Sequence, residues 1–210
     1  PTTADKVTAA LQAYVMPEED DRLAFSNVAS TGAVHGSPAA QTGAMVVTEF
    51  MKDPTVVSDT QGEWFELYNA SPHRQNVEGW VISDDGSNAH MIYVGGNGLT
   101  LLPGRRLLLA RNADNLSNGG VLVDYEYSNF TLNNTSDQII VTTRRGELAD
   151  RVDYDASAWP SIPGKSASLR PGLENPVLND DPTQWCSSST LVVQGSTDTG
   201  TPTFVNDLCP

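Results

Sequence analysis

Three short stretches of the sequence concentrate carboxylate and amide oxygens. The first runs from Asp84 through Asp85 to Asn88, and the others lie at residues 153–155 and 179–181. Hard oxygen ligands in a loop are what calcium prefers, so Asp84, Asp85 and Asn88 are our candidate calcium ligands. None of the three stretches has the spacing of an EF-hand loop. Because Asx residues also end strands by bonding their own backbone, an ordinary turn is the competing interpretation.

Residue types that carry catalysis are present but not in a recognisable arrangement. The three histidines, His35, His73 and His90, are far apart in the sequence and do not form an H-E-x-x-H motif. The sequence also lacks a G-x-S-x-G elbow and a phosphate-binding glycine loop. We therefore predict a protein that is not an enzyme and assign no catalytic residue. A hydrolase whose triad is assembled in space from distant residues is the alternative.

The elements that would position these residues are strands. Residues 63–69 and 79–84 are two runs of aromatic and β-branched residues separated by a polar segment, and we interpret them as two paired strands. A period of two places Phe65 and Leu67 on the same face of the first strand, towards a core. In the second strand, Trp80 and Ile82 share one face.

Further strand-like runs follow at short intervals along the chain. Residues 90–94 and 99–102 flank a glycine-rich loop and predict a third hairpin. Arg144 to Gly146 form the turn between two later strands. Because helices between strands are lacking after Val15, the pattern predicts a β-sandwich or barrel. The remaining runs are residues 45–50, 106–111, 121–127, 138–143 and 147–154.

In this order, a series of short motifs resembles the lamin tail domain family over about Met45 to Asn206. The resemblance implies an immunoglobulin-like β-sandwich, a fold found in nuclear lamins and in many secreted prokaryotic proteins. It implies a module that attaches its host to a surface or complex, and it transfers no catalytic residue. The motifs are Glu49-Phe50, Glu63-Trp64-Phe65-Glu66-Leu67-Tyr68-Asn69, Gly79-Trp80-Val81-Ile82-Ser83-Asp84, Leu102-Pro103-Gly104, Asp150-Arg151-Val152-Asp153-Tyr154, Trp159-Pro160 and Gly200-Thr201-Pro202.

The first 44 residues differ from the rest of the chain. Val7, Leu11, Tyr14 and Val15 follow a helical period, and Pro17 would end the run. We predict a short N-terminal helix and an extended arm at residues 1–44, and a sandwich domain at residues 45–210. Because a helix of about three turns is marginal in water, something must cover its apolar side. That cover is either the sandwich itself or a protein partner, and in the second case these four side chains are the partner-binding residues.

Charge and cysteine content restrict the environment and the partners. The formal net charge is -14 and the pI is about 4.3, which argues against binding to nucleic acid or to an anionic membrane. The sequence has no apolar run long enough to cross a membrane. Cys186 and Cys209 are the only cysteines, and we predict that they form a disulfide in an oxidising compartment. With a polar segment starting at Pro1, the chain resembles an already processed exported protein; two thiols in a cytosolic protein are the alternative.

These observations predict an exported, non-enzymatic protein that acts as an interaction or structural module. Its location would be the periplasm, the cell surface or the extracellular space. It would belong to a larger assembly of proteins and dock through its N-terminal arm. The alternative is an adhesion module that depends on calcium or carbohydrate. Its sugar-binding platform would be formed by aromatic side chains, for which the candidates are Trp64, Tyr68, Trp159 and Trp185. The competing interpretation is that these residues lie in the core.

Overall fold

The structure, a computed structural model, describes residues 45–209. The predicted N-terminal helix, with Val7, Leu11, Tyr14 and Val15, lies outside the described residues. The helix, the arm and the domain boundary after residue 44 therefore stay predictions.

Residues 45–209 form an all-β structure with one short helix, α1 (Asp59–Gly62), and one 3₁₀ turn (Pro182–Gln184). The strands are β1 (Met45–Met51), β2 (Trp64–Asn69), β3 (Gln75–Asn76), β4 (Val81–Ser83), β5 (Ala89–Met91), β6 (Thr100–Leu101), β7 (Arg106–Ala110), β8 (Tyr125–Glu126), β9 (Ser136–Thr142), β10 (Leu148–Asp155), β11 (Ala167–Leu169) and β12 (Trp185–Ser187).

Two large sheets enclose the core. One has six strands in the order β12-β11-β1-β2-β7-β8, and the other has four in the order β10-β9-β4-β5. Strands β3 and β6 form a separate two-stranded sheet. Neighbouring strands are antiparallel except β7 and β8. The prediction of a β-sandwich is confirmed.

The strands predicted at residues 63–69 and 79–84 are present as β2 and β4, but they are not paired with each other, so the predicted pairing is wrong. β2 pairs with β1 and β7, whereas β4 pairs with β5 and β9 in the opposite sheet. Phe65 of β2 and Ile82 of β4 are both buried in the core between the sheets. The alternation of apolar and polar residues predicts which face of a strand is buried. It does not predict the partner strand, because the same face is buried whether two strands are paired in one sheet or face each other across the core.

The predicted hairpin of residues 90–94 with 99–102 is also wrong. β5 pairs with β4, and β6 pairs with β3. The reason lies in the glycine-rich loop, where the Glu78 carboxylate accepts hydrogen bonds from the backbone N–H groups of Gly96 and Gly98. Gly98 has a φ of 75°, which is open to glycine without strain. The loop is thus drawn back towards β3. The predicted turn of Arg144 to Gly146 is confirmed.

The core lies between the inner faces of the two sheets. Phe50 on β1 is central, with ring centroids 4.8 Å from Tyr154, 5.5 Å from Trp185 and 6.3 Å from Trp159. Phe65 and Leu67 belong to the same core, as predicted. Trp159 and Trp185 lie in this core, and Trp64 is buried in a second cluster with Met51 and Leu108. The competing interpretation of the tryptophans as core residues is therefore confirmed, and they do not form a sugar platform. Tyr68 is half-buried, with the Arg106 guanidinium over its ring.

Part of the outer face of the six-stranded sheet is covered by the end of the chain. We call residues 198–209 the C-terminal strap. Its contacts begin at Asp198, whose carboxylate accepts from the backbone N–H groups of Thr55 and Val56. Near its end, the Asn206 amide donates to the carbonyl oxygens of Thr48 and Leu169. The predicted disulfide between Cys186 of β12 and Cys209 is present and ties the strap to the sheet edge.

Candidate interaction surface

The predicted calcium ligands lie in the loop between β4 and β5, where they already have partners. Asp84 accepts hydrogen bonds from Gly86 N–H and from both the backbone and the side-chain amide of Asn88. The Asp85 carboxylate accepts two bonds from the Arg151 guanidinium, at 2.9 and 2.6 Å. These bonds lower the pKa of Asp85.

The loop therefore has the hydrogen bonds of an Asx turn held by an arginine. Within residues 45–209, no three His, Cys, Asp or Glu side chains form a group that could hold a metal. For calcium to be bound by Asp85, Arg151 would have to release its carboxylate. Calcium binding by Asp84, Asp85 and Asn88 stays a prediction.

The two sheets end side by side at the edge strands β5 and β8, and a polar contact joins them. His90 of β5 lies 2.8 Å from the hydroxyl of Tyr125 on β8, through its Nε2 atom. The same hydroxyl accepts the backbone N–H of Tyr93 at 2.9 Å. The rings of His90 and Tyr125 are 5.5 Å apart between centroids. This contact fixes the position of β5 relative to the opposite sheet.

The hydrogen bonds also determine the state of His90. Its Nδ1 atom accepts the backbone N–H of Ser128 at 3.2 Å, so the ring proton is on Nε2 and is donated to Tyr125. Burial lowers the pKa of His90, which keeps the imidazole neutral at neutral pH.

Ser128 Oγ is also near Nδ1, at 3.4 Å, but that lone pair is already used by a backbone donor. A serine nucleophile needs a base with a free acceptor and an orienting partner behind it. The geometry at His90 does not provide one.

An apolar patch lies outside this contact. Met91 and Tyr93 are 57% and 64% exposed and alternate with the inward-facing His90 and buried Ile92. Ala89, also exposed, precedes them on the same side. The register places Met91 beside the half-buried Val81 of β4. We call Ala89, Met91 and Tyr93 the β5 edge surface.

Sequence reasoning placed His90 to Val94 in a strand but did not single out its exposed side. The signal was present, since Met91 and Tyr93 are two large apolar residues at a period of two opposite the inward-facing His90 and Ile92. It could not be used because nothing local shows which side of a strand faces water when both carry large residues.

Comparisons with known proteins agree with this architecture. The model of the Lamin Tail Domain family matches residues 38–156, which is more than half of the 210 residues. No curated protein matches the sequence. Over the described range, 45–209, we find no helix with the length and apolar character of a membrane span. The motif order, the two-sheet sandwich and the family match agree, and the chain belongs to the lamin tail domain family, with an immunoglobulin-like β-sandwich.

Proposed function

We propose that this protein is an exported, non-catalytic interaction module that binds a protein partner through the β5 edge surface. The observation that carries the proposal is the exposure of two large side chains close together, Met91 at the end of the edge strand β5 and Tyr93 two residues after it. Exposed apolar residues that cluster are more often part of a binding surface than exposed residues that occur singly. The contact of His90 with Tyr125 holds this surface in place, so that binding requires little ordering.

The chemistry of the molecule favours a protein as the partner. With a net charge of -14, the chain would repel nucleic acid and anionic lipid. The four tryptophans, the aromatic residues best suited to stack on sugar rings, are all buried. A methionine beside a tyrosine suits an apolar protein surface, since Met adapts its shape and Tyr contributes a large contact area.

Export and assembly are part of the proposal. The disulfide between Cys186 and Cys209 supports export, because disulfides persist in oxidising compartments. We propose that the protein works as a subunit or accessory of a larger extracellular or envelope assembly. The N-terminal arm, with Val7, Leu11, Tyr14 and Val15, would be a second contact with the same partner.

The test is to isolate the protein gently from its native source and identify what co-elutes in size-exclusion chromatography. We expect a stoichiometric protein partner, and we expect Tyr93→Ala to weaken its binding by about tenfold or more, as loss of an interface tyrosine commonly does. Deletion of residues 1–41 should weaken binding independently.

The matched control is Leu116→Ala, which removes an apolar side chain that is 93% exposed on a different loop. It should leave partner binding unchanged. A protein that elutes alone, or a partner bound equally well by the Tyr93 and Leu116 variants, would contradict the proposal.

A further inference from the structure

The open side of β5 can be identified from its hydrogen bonds with β4. Asp84 N–H donates to Asn88 O, and Ile92 N–H donates to Trp80 O. In an antiparallel pair, hydrogen-bonded and non-bonded residue pairs alternate, so His90 is the bonded partner of Ile82. The N–H and C=O groups of Ala89 and Met91 consequently point away from β4, towards the edge of the sheet.

One end of this edge is closed and the other is open. The backbone N–H of Tyr93 also points outwards, and the Tyr125 hydroxyl accepts it. Among the described residues, the outward N–H groups of Ala89 and Met91 have no such acceptor. The open edge is therefore short and contains the backbone groups of two residues, bordered by the exposed side chains of Met91 and Tyr93.

The other edge strands of the two large sheets are protected. β10 carries an ion pair between Arg151 and Asp153, and charges discourage edge pairing. β12 is tied to the C-terminal strap by the disulfide of Cys186. β8 carries Glu126, which accepts the backbone N–H of Ala113. β5 has no Asp, Glu, Lys or Arg within its bounds.

We infer that the open edge of β5 accepts an extended segment of a partner protein as an added strand. The segment would bond the backbone groups of Ala89 and Met91 and place an apolar side chain against Met91 and Tyr93. This mode of recognition derives affinity from main-chain hydrogen bonds and specificity from alternate side chains. The inference rests on the proposed function, for which it names the mode of binding and the chemistry of the ligand.

Charge indicates which segment fits. Two copies of a chain with a net charge of -14 repel each other, whereas a basic segment is attracted. The occupant is therefore an extended segment of another protein in which apolar residues alternate with lysine or arginine. A second copy of this chain is an outcome that the test must distinguish.

The test uses the full chain and a fluorescein-labelled short peptide that alternates valine with lysine. Met91→Ala removes the side chain, and Met91→Pro removes the side chain and the outward N–H. Because that N–H is not bonded to β4, Met91→Pro should keep the sheet, as edge positions tolerate proline. Ala89→Pro makes the same change at the second outward donor, and circular dichroism checks that each variant is folded.

We expect saturable binding of the peptide, weakened about tenfold more by Met91→Pro than by Met91→Ala, since a hydrogen-bond donor is lost in addition. The same peptide with every backbone nitrogen methylated should not bind, because neither of its edges then has a donor for strand pairing. A peptide that alternates valine with glutamate should bind more weakly than the lysine peptide, and the difference should shrink at high salt.

Three results would overturn the inference: no saturable binding of the lysine peptide, equal binding by the alanine and proline variants, or undiminished binding of the methylated peptide. Concentration-dependent self-association that Met91→Pro abolishes would assign the edge to a second copy and overturn it as well. In each case, loss of the native partner on Tyr93→Ala would leave the proposed function standing. Retention of that partner by Tyr93→Ala would overturn the proposed function separately.

Discussion

Glu49 and Glu66 are opposite each other on β1 and β2, fully buried under the C-terminal strap. Glu49 accepts hydrogen bonds from the Ser168 hydroxyl and from the backbone and hydroxyl of Thr201. Glu66 accepts from the Arg106 guanidinium at 2.9 Å and from the backbone N–H of Thr203 at 2.7 Å. The strap is thus held by two buried carboxyl groups.

The electrostatic consequence is a stability that depends on pH. Burial raises the pKa of Glu66 to about 8, and the nearby Glu49 raises it as well. Burial also raises the pKa of Glu49. A carboxyl group whose pKa is raised by folding contributes its full stability below its ordinary value of 4.5 and loses that contribution as the pH rises through about 8.

We predict that the free energy of unfolding falls between pH 5 and pH 8, and that Glu66→Gln reduces this slope. Each group contributes up to roughly 1.4 kcal/mol per pH unit between its two pKa values. Urea unfolding at a series of pH values measures the slope. A smaller slope should remain in the variant, because burial raises the pKa of Glu63 and of Asp150 to about 7.

The control for this prediction is Glu147→Gln, which neutralises an exposed carboxyl group in the turn before β10. It should leave the slope unchanged. A wild-type stability that is constant from pH 5 to pH 8, or equal slopes in wild type and Glu66→Gln, would contradict the prediction.

The environment of Glu66 could be predicted only in part from the sequence. A period of two correctly placed Phe65 and Leu67 on the inner face and Glu66 on the outer face. An outer-face glutamate is normally solvated, and its burial here depends on Thr203, 137 residues further along the chain. Local pattern carries no information on such a distant cover.

The C-terminal strap depends on its disulfide. Cys186 and Cys209 are 23 residues apart in the sequence, and a cross-link over such a loop stabilises by about 3 kcal/mol in the chain-entropy model. The strap itself has no strand within residues 198–209. Backbone hydrogen bonds hold its start at Thr199 and Gly200, and beyond them its order rests on side-chain anchors and on this bond.

We predict that replacing both cysteines by serine lowers the free energy of unfolding by about 3 kcal/mol and loosens the strap before the sheets. Native-state hydrogen exchange measures this. The backbone N–H groups of Thr201 and Thr203 should exchange faster by a larger factor than those of Phe65 and Leu67 at the centre of the sandwich. Equal acceleration at all four sites would show that the bond acts on the whole molecule and not on the strap.

Element pairing was only partly predictable. The strands beginning at Trp64 and at Val81 were found because their composition is local, but their partners are set by contacts across the core. The hairpin that we expected around the glycine-rich loop failed because Glu78 binds that loop from outside it. The disulfide was predictable because the sequence offers one pairing.

The packed domain extends beyond the family match. The match ends at residue 156, yet the core includes Trp159 and Trp185, both packed on Phe50. Strand β11, outside the match, pairs with β1. The remaining third of the described chain is therefore part of the same packed unit.

We predict that residues 45–210 fold without the N-terminal arm, whereas residues 45–156 do not fold. In the shorter piece, the edge of β1 would lack its partner strand and the Glu49 carboxyl group would lose its hydrogen-bond donors. The Phe50 ring would lose the side chains that pack on it. Each of these losses is strongly destabilising. Circular dichroism and thermal unfolding of both pieces measure this. A cooperative transition in the shorter piece, or an unfolded longer piece, would contradict the prediction.

The place of β1 in the sheet has a consequence for biosynthesis. Glu49 on β1 bonds Ser168 of its neighbour β11, 119 residues later in the chain. During translation, β1 therefore keeps one edge unpaired until β11, more than a hundred residues later, has been made. Contacts between such distant residues form slowly. During that interval the nascent chain presents the open edge of β1 to chaperones and proteases.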